Sequence, residues 1–499
     1  MPSRDRRIWE HPILTFRRGR KVRFFFEGME IEAYEGESIA AALYAIGIDV
    51  FSYSSKLGRP RGAFCMIGKC SSCFMVVDGV PNTRTCIEPV RDGVRVERQK
   101  GLAPVPSEKT VDGSVEPEEV LETDVLIVGG GPAGLSAALE LARYGLNVVI
   151  VNEHFKLGGQ LVKQTHKFFG SKELFGGLRG FQIAEMLSEQ LSKYDNVKVL
   201  LQSAVYGVFR GGWVGVASRN KLYRIKPRAV IVATGATEQY LAFPGNDLPG
   251  VMGAGGAQTL MNEYGIKPGD RALVVGSGNV GLIVSYQLLQ AGVKVEAILE
   301  IMPQIGGWFV HAAKVRRYGV PILTSHTIKA AWGRERVEGA TIVRVDEKFQ
   351  PVPGSERDIE CDLVLLAIGL APDTRLFAQA GAVMRWIPEL GGPVPIRTRR
   401  LETSIPGMYV AGDASGIEEA TTAMIEGRIA ALAIASKFLD GERAKRVEEE
   451  MEKLLDFLWN EYRASPLLAR ARAGKEKATV SEEEMERLRK EHPPLVSFR

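Results

Sequence analysis

Two glycine-rich turns constrain this 499-residue chain more than any other feature. The first reads Asp124-Val-Leu-Ile-Val-Gly129-Gly-Gly131-Pro132-Ala133-Gly134. The second reads Leu273-Val-Val-Gly276-Ser-Gly278-Asn279-Val280-Gly281. Both have the spacing G-x-G-x-x-G between an apolar run and a helical stretch. The first glycine of such a run permits the tight turn. The second lets a pyrophosphate approach the backbone, the third lets helix and strand pack closely, and the helix N-terminus favours phosphate charge. An acid follows 24 residues after each first glycine, Glu153 in one case and Glu300 in the other. Each is placed to accept from a ribose hydroxyl. Glu300 would repel a 2′-phosphate, and no Arg adjoins it, which favours NAD(H) over NADP(H). Arg316 and Arg317 weigh slightly the other way, and another adenine nucleotide, or a vestigial pocket, stays open for this second turn.

Four of the five cysteines fall within 22 residues: Cys65, Cys70, Cys73 and Cys86. The run C-x4-C-x2-C is the plant-type ligand spacing of a [2Fe–2S] cluster. Gly68, Ser71 and Ser72 suit a loop that folds tightly with backbone N–H groups free to bond sulfur. Zinc is the rival, because four thiolates also suit Zn2+, although zinc ribbons use two C-x2-C knuckles and only one such pair is present. The fifth cysteine, Cys361, precedes an apolar run and reads as a buried, inert thiol.

A chain this long exceeds a single core. Residues 13–100 read as a small β-rich domain with hairpin turns at Glu27-Gly28 and Asp78-Gly79 and a helix from Glu37 to Ile46. Residues 101–122, rich in Pro, Gly, Ser and acid, read as a linker. Residues 123–240 and 355–440 form one dinucleotide domain, split by a second at 241–354. Residues 441–499 form a charged helical tail, in which Ser481 and Glu484 make a capping box. Leu454, Leu455, Leu458, Trp459 and Tyr462 give that tail an apolar stripe, suited either to the chain's own surface or to a partner protein. The net charge of +4 is weak and does not argue for nucleic acid, which is not expected as a partner. No apolar run reaches membrane-spanning length and no leader pattern is present, so a cytoplasmic location is expected.

The fold class is therefore α/β: two nested Rossmann-like dinucleotide domains preceded by a β-grasp ferredoxin-like domain. The cysteine domain resembles the ferredoxin domains of succinate and xanthine dehydrogenases. The nested fingerprints, followed by Ala233-Thr234-Gly235 and by Met408-Tyr-Val-Ala-Gly412-Asp413, resemble the thioredoxin-reductase-like flavoproteins. That resemblance implies FAD at the first turn. Asp413 matches the aspartate that binds the flavin's ribitol chain, and the helix after it would face the flavin pyrimidine. Gly412, Thr234, Gly235 and Val205 join the expected FAD contacts. Gly159 and Gln160 sit where small residues let a backbone run along the cofactor, or in a simple turn. Lys163 and His166, just beyond, could face a flavin but read more readily as a polar surface loop. No cysteine pair lies near either turn, which argues against disulfide reduction.

With the cysteine domain in front, the whole resembles one component of the multi-subunit amine and amino-acid dehydrogenases. The resemblance is to the alpha chain of sarcosine oxidase, the A component of opine oxidase, the B component of hydrogen cyanide synthase and the alpha chain of dye-linked L-proline dehydrogenase. Several of these carry a cysteine-rich extension after the flavin domain that this chain lacks, which favours the proline type. The resemblance implies a hetero-oligomer with an FAD-containing beta subunit that oxidises the amino acid, an FMN at a subunit interface and a further small iron–sulfur subunit. The chain itself would act as NADH dehydrogenase and electron relay, with no dedicated catalytic side chain. A standalone NADH:acceptor (ferredoxin) oxidoreductase and a non-catalytic nucleotide-binding scaffold are the alternatives.

Overall fold

The computed structural model describes residues 5–103, 119–219 and 221–498. The chain divides into two compact units, Met1–Val111 with Glu238–Gly369, and Asp112–Thr237 with Leu370–Arg499.

In the first unit the N-terminal part is a five-stranded sheet. Its strands run in the order Met29–Tyr34, Lys21–Phe26, Arg95–Arg98, Phe74–Val77, Val80–Arg84. The turns at Glu27-Gly28 and Asp78-Gly79 hold both residues at positive φ, as a two-residue hairpin between right-twisted strands requires. The helix is Ile39–Ala45, buried along its whole length, with Ser38 Oγ accepting from Ala41 N at 3.2 Å. It is shorter than 37–46 because Ser38, not Glu37, is the cap.

The remainder of this unit is a parallel sheet of Val251–Gly253, Leu363–Leu366, Arg271–Val275, Lys294–Glu300 and Ile322–Thr324. The chain therefore leaves the second nucleotide fold at 369 and not at 355, because Leu363–Leu366 pairs inside its sheet. The cysteine domain is seated on this fold. Arg18 donates to the Tyr264 and Gly265 carbonyls at 3.1 and 2.9 Å, and the Tyr44 hydroxyl donates to Pro268 O at 2.8 Å. A Cβ on Gly256 would fall 2.2 Å from Phe64 O, so only glycine permits that approach.

The second unit is built on a sheet ordered Val197–Leu200, Val148–Val151, Glu119–Val128, Leu222–Val232, Trp213–Ser218, Ser203–Phe209, with Met408–Val410 beside Leu222–Val232. Of the stretch read as linker, 119–122 extend its first strand, where they pair with Tyr223–Lys226; 104–118 lie outside the described residues. Helix Pro132–Arg143 packs against helix Ala420–Phe438. They meet closely because a Cβ on Gly427 would fall 2.1 Å from Ala133 O. The tail packs on the same core. Val447, Met451, Leu455, Leu458 and Trp459 are buried with Ile127 and Ile150, so the apolar stripe covers the chain's own surface. Ser481 caps helix Glu482–Glu491, accepting from Glu484 N at 3.1 Å, without the return bond from Glu484 that a capping box requires.

Candidate functional site

At the first glycine turn Gly129 has φ +110, and a Cβ there would fall 2.3 Å from Ala233 O. A Cβ on Gly134 would fall 1.9 Å from Gly129 O. Gly131, by contrast, faces open space up to Gly159 Cα at 3.9 Å, the room a phosphate group needs. Pro132 opens the following helix at a position where its missing N–H costs nothing, and Ala133 is buried behind it. Asn152 Oδ1 accepts from Gly130 N at 3.1 Å and fixes the turn to the end of the neighbouring strand. Glu153, one residue further, is half-buried. Gly158 N donates to Gly130 O at 2.8 Å, so Gly158 and Gly159 lie across the turn, and Gln160 is exposed beyond them. Lys163 is buried, not on the surface, because Gly159–Lys163 winds into a helical turn whose Leu161 and Lys163 face inward. His166 is half-buried.

Thr234 Oγ1 donates to Asp373 O at 2.6 Å, and Gly235 O accepts from Asp373 N at 2.9 Å, which ties this exit strand to the returning chain. Val205 is half-buried on Ser203–Phe209, against the opposite core of the sheet. Gly412 and Asp413 follow strand Met408–Val410. Asp413 Oδ1 accepts from Glu418 N at 3.3 Å, and burial lifts its carboxyl to about 6. Beneath this loop lies a polar cluster that the sequence reading missed: Arg397, Glu418, Glu426, Arg463 and Lys475, with charged side chains at most 3% exposed. Its only sequence signal is Glu426, a charge set among the small apolar residues of helix Ala420–Phe438.

The second turn repeats the first. Gly276 has φ +107 with Ala367 O 2.3 Å from a Cβ, Gly281 would meet Gly276 O at 2.0 Å, and Gly278 faces open space. Here Ser277 N and Oγ donate to Glu300 Oε2 at 3.0 and 2.6 Å, and Met302 N donates to Oε1 at 2.9 Å. Equal spacing from the glycine pairs Glu300 with Glu153, but the strands do not. Val128 pairs with Val151, and Val275 with Leu299, so Glu300 stands where Asn152 does. A register shift between Ala272 and Leu273 absorbs the extra residue. Gly306 and Gly307 cross this turn as Gly158 and Gly159 cross the other, with Gly307 N on Ser277 O at 2.8 Å. Trp308 N donates to Asn279 Oδ1 at 2.8 Å, and Val280 is exposed.

Cys65, Cys73 and Cys86 are buried and Cys70 is half-buried. Gly68, at φ +75, turns its N–H on to Cys86 Sγ at 3.2 Å. Backbone N–H groups of Ile67 and Cys70 face Cys65, that of Ser72 faces Cys70, and that of Cys86 faces Cys73. Cys65 is hydrogen-bonded to Cys70 and Cys86, and Cys73 to Cys86. Hydrogen bonding between the sulfurs holds Cys65 and Cys73 below the usual thiol range and pushes Cys70 and Cys86 above it. A nest of N–H donors around four thiols fits a cluster of thiolate-bound irons. Among the described residues no three His, Cys, Asp or Glu side chains converge as a single ion would draw them. The Phe64 ring stacks on Tyr240 at 4.3 Å, and the Tyr240 hydroxyl faces Cys70, a contact from a distant segment that no spacing announced. Cys361 is buried, and burial pushes its thiol up to about 12.

Residues 123–427 match the model of pyridine nucleotide-disulphide oxidoreductases. The chain belongs to that family. Residues 19–101 match a 2Fe-2S iron-sulfur cluster binding domain. The protein is thus a flavin-dependent oxidoreductase whose cofactors are FAD and a [2Fe–2S] cluster. The alpha chain of sarcosine oxidase from Corynebacterium sp. (strain U-96) is 25% identical over 429 residues, covering 80% of this chain and 42% of its own length. The A component of opine oxidase from Rhizobium meliloti is 31% identical over 338 residues, 62% of each chain. The oxidoreductase thus spans less than half of that sarcosine oxidase chain. The crystal structure of L-proline dehydrogenase from P. horikoshii is 29% identical, covering 89% of this chain and 79% of that one, with a TM-score of 0.66. Thioredoxin reductase from T. acidophilum shares the fold over 64% of the chain at a TM-score of 0.52. No helix among the described residues is long and apolar enough to cross a membrane.

Proposed function

We propose that this chain is the NADH-oxidising, electron-transferring alpha subunit of a multi-subunit, dye-linked amino-acid dehydrogenase of the L-proline type, located in the cytoplasm. The observation that carries the reading is the presence, on one chain, of two intact dinucleotide turns and a nest of N–H donors around four cysteines. The extent of the match to L-proline dehydrogenase supports the substrate type. Bound FAD supplies two-electron chemistry and can hand electrons singly to a one-electron cluster.

The chain's own residues position and exclude. Gly129, Gly131 and Gly134 bring a backbone against a pyrophosphate, Glu153 accepts from the adenosine ribose, and Asp413 accepts from the ribitol chain. Gly276, Gly278 and Gly281 serve NADH in the same way, while Glu300 holds the turn through Ser277 and Met302. Cys65, Cys70, Cys73 and Cys86 hold the cluster, and the backbone N–H groups around them stabilise its negative charge. The amino acid is oxidised on a separate FAD-containing beta subunit, with FMN at the interface and a small iron–sulfur subunit completing the hetero-oligomer.

In a second reading the nucleotide at 276–281 is held without turnover. Three protein donors already occupy Glu300, which leaves less of it to accept from a ribose. Anaerobic NADH added to the isolated chain separates the two. Loss of flavin absorbance supports NADH oxidation, and an unchanged spectrum with FAD retained overturns it. Co-expression with a flavin amine-dehydrogenase subunit should give copurification and proline-dependent dye reduction; absence of both would leave the standalone reductase. Cys70→Ser should abolish the iron signal while FAD stays bound, and retained iron and sulfide would refute the ligand set.

A further inference from the structure

We propose that the C-terminal segment completes the FAD site, with Lys475 and Arg463 acting as positioning residues for the loop Gly412–Glu419. The proposal rests on reading Asp413 as the partner of the flavin's ribitol chain.

Both residues lie beyond the family match, which ends at 427. Each is 1% exposed. Lys475, on helix Ala469–Ala478, donates to Ser415 Oγ at 2.6 Å and to Glu426 Oε1 at 2.8 Å. Arg463 donates to the same Glu426 oxygen at 2.6 Å and grips Glu418 with bonds of 2.9 and 2.6 Å. The other oxygen of Glu426 accepts from Gly412 N at 3.0 Å and from Ser415 Oγ at 2.6 Å. Arg397 adds a bond to Ser415 O at 2.8 Å. One buried carboxylate therefore links the tail's cations to the residues on both sides of Asp413.

Ionised groups are costly to bury, and apolar side chains of similar volume would pack as well or better. Packing alone does not account for five of them. The arrangement fixes a loop. Arg397, Arg463 and Lys475 face Glu418 and Glu426, and Asp413 lies beside them. Although burial pushes the Glu426 carboxyl up, Lys475, Arg463 and Arg397 hold it at about 2. The groups facing Asp413 are Lys475, which favours its anion, and Glu426 and Glu418, which oppose it. Removing Lys475 would leave Asp413 with those two carboxylates and make its proton harder to lose. A protonated Asp413 keeps a hydroxyl but loses half its capacity to accept from the ribitol.

The test uses the full chain with Lys475→Met, Lys475→Arg, Ser415→Ala and Asp413→Asn. It follows FAD release on dilution by visible absorbance at several pH values, and melting with and without added FAD. The expected result is FAD held about tenfold more weakly by K475M, with its release midpoint moved to higher pH and restored by K475R. S415A keeps every charge and should weaken FAD about threefold with no pH shift. Folded K475M with wild-type affinity and pH midpoint overturns the proposal, as does equal melting loss with and without FAD. If K475M does not fold, S415A decides: unchanged release overturns the proposal. D413N with undiminished affinity overturns the assignment of Asp413 itself, whereas weakened D413N beside unchanged K475M refutes only the role of the tail.

Discussion

The two glycine turns share a backbone and differ in what surrounds it. At both, a carbonyl stands 2.3 Å from where a Cβ of the first glycine would be, and a Gly-Gly pair returns across the turn. At the first, a neutral amide, Asn152, ties the turn to its strand and leaves Glu153 beyond it. At the second, Glu300 does that work, and Ile301, 41% exposed, occupies the place of Glu153. The first turn also has a buried cluster of charges under the loop that returns to it; the second fold instead seats the cysteine domain. The same glycine pattern is thus compatible with an acid set beyond the turn and with an acid held by the turn's own donors.

The sharpest way to break this pairing is at the first glycines. Gly129→Ala and Gly276→Ala each force a side chain into positive φ and a carbonyl, at a cost of about 1–3 kcal/mol for the strain alone. G129A should lose FAD; G276A should keep FAD and lose the second nucleotide. Calorimetry with visible absorbance reads both, and loss of FAD from G276A would show that the turns are not separable. Next come the acids. Glu300→Gln should cost about 1–3 kcal/mol of stability in denaturant unfolding, because two backbone donors and a hydroxyl lose a carboxylate. Glu153→Gln should cost less stability than Glu300→Gln and weaken FAD instead. The reverse pattern would undo the matching of Glu300 with Asn152.

A pH effect should belong to the first turn. The Asp413 carboxyl sits at about 6, above the value of an unfolded aspartate. As the pH falls through about 6 the folded chain takes up its proton first. FAD should therefore be held above this window and released within it, while the FAD-free fold gains stability between about 6 and 4. FAD retention flat from pH 7 to 5 would contradict this. The smallest effect is expected at the second fold's contact with the cysteines. Tyr240→Phe removes a donor facing Cys70 and should move the cluster to a lower potential in an EPR-monitored titration with iron content unchanged. An unmoved potential would reduce Tyr240 to a packing partner of Phe64.

Much of the fold was legible in the residues. Gly129, Gly276 and the hairpin turns Glu27-Gly28 and Asp78-Gly79 announce backbone conformations that few side chains tolerate. Cys65, Cys70, Cys73 and Cys86 announce their chemistry by spacing, because a single loop supplies three of the four. Lys163 was misread because polarity in a loop predicts exposure, and only the inward winding of Gly159–Lys163 buries it. The end of the second nucleotide fold was misplaced because an apolar strand such as Leu363–Leu366 fits either parallel sheet equally well; pairing alone assigns it.

By itself the sequence determined what depends on neighbours along the chain: the glycine turns, the cysteine loop, the helix caps and the alternation of the hairpins. Their forces act over a few residues, and the pattern carries them. Only the tertiary structure decided which groups meet from afar. The placement of Glu300 beside Ser277 depends on a one-residue shift in strand pairing. Tyr240 faces Cys70 across 170 positions, and Lys475 reaches Ser415 and Glu426 from a tail that reads as surface charge. Such charges are buried because each finds a partner, and a partner sixty residues away leaves no trace in local spacing.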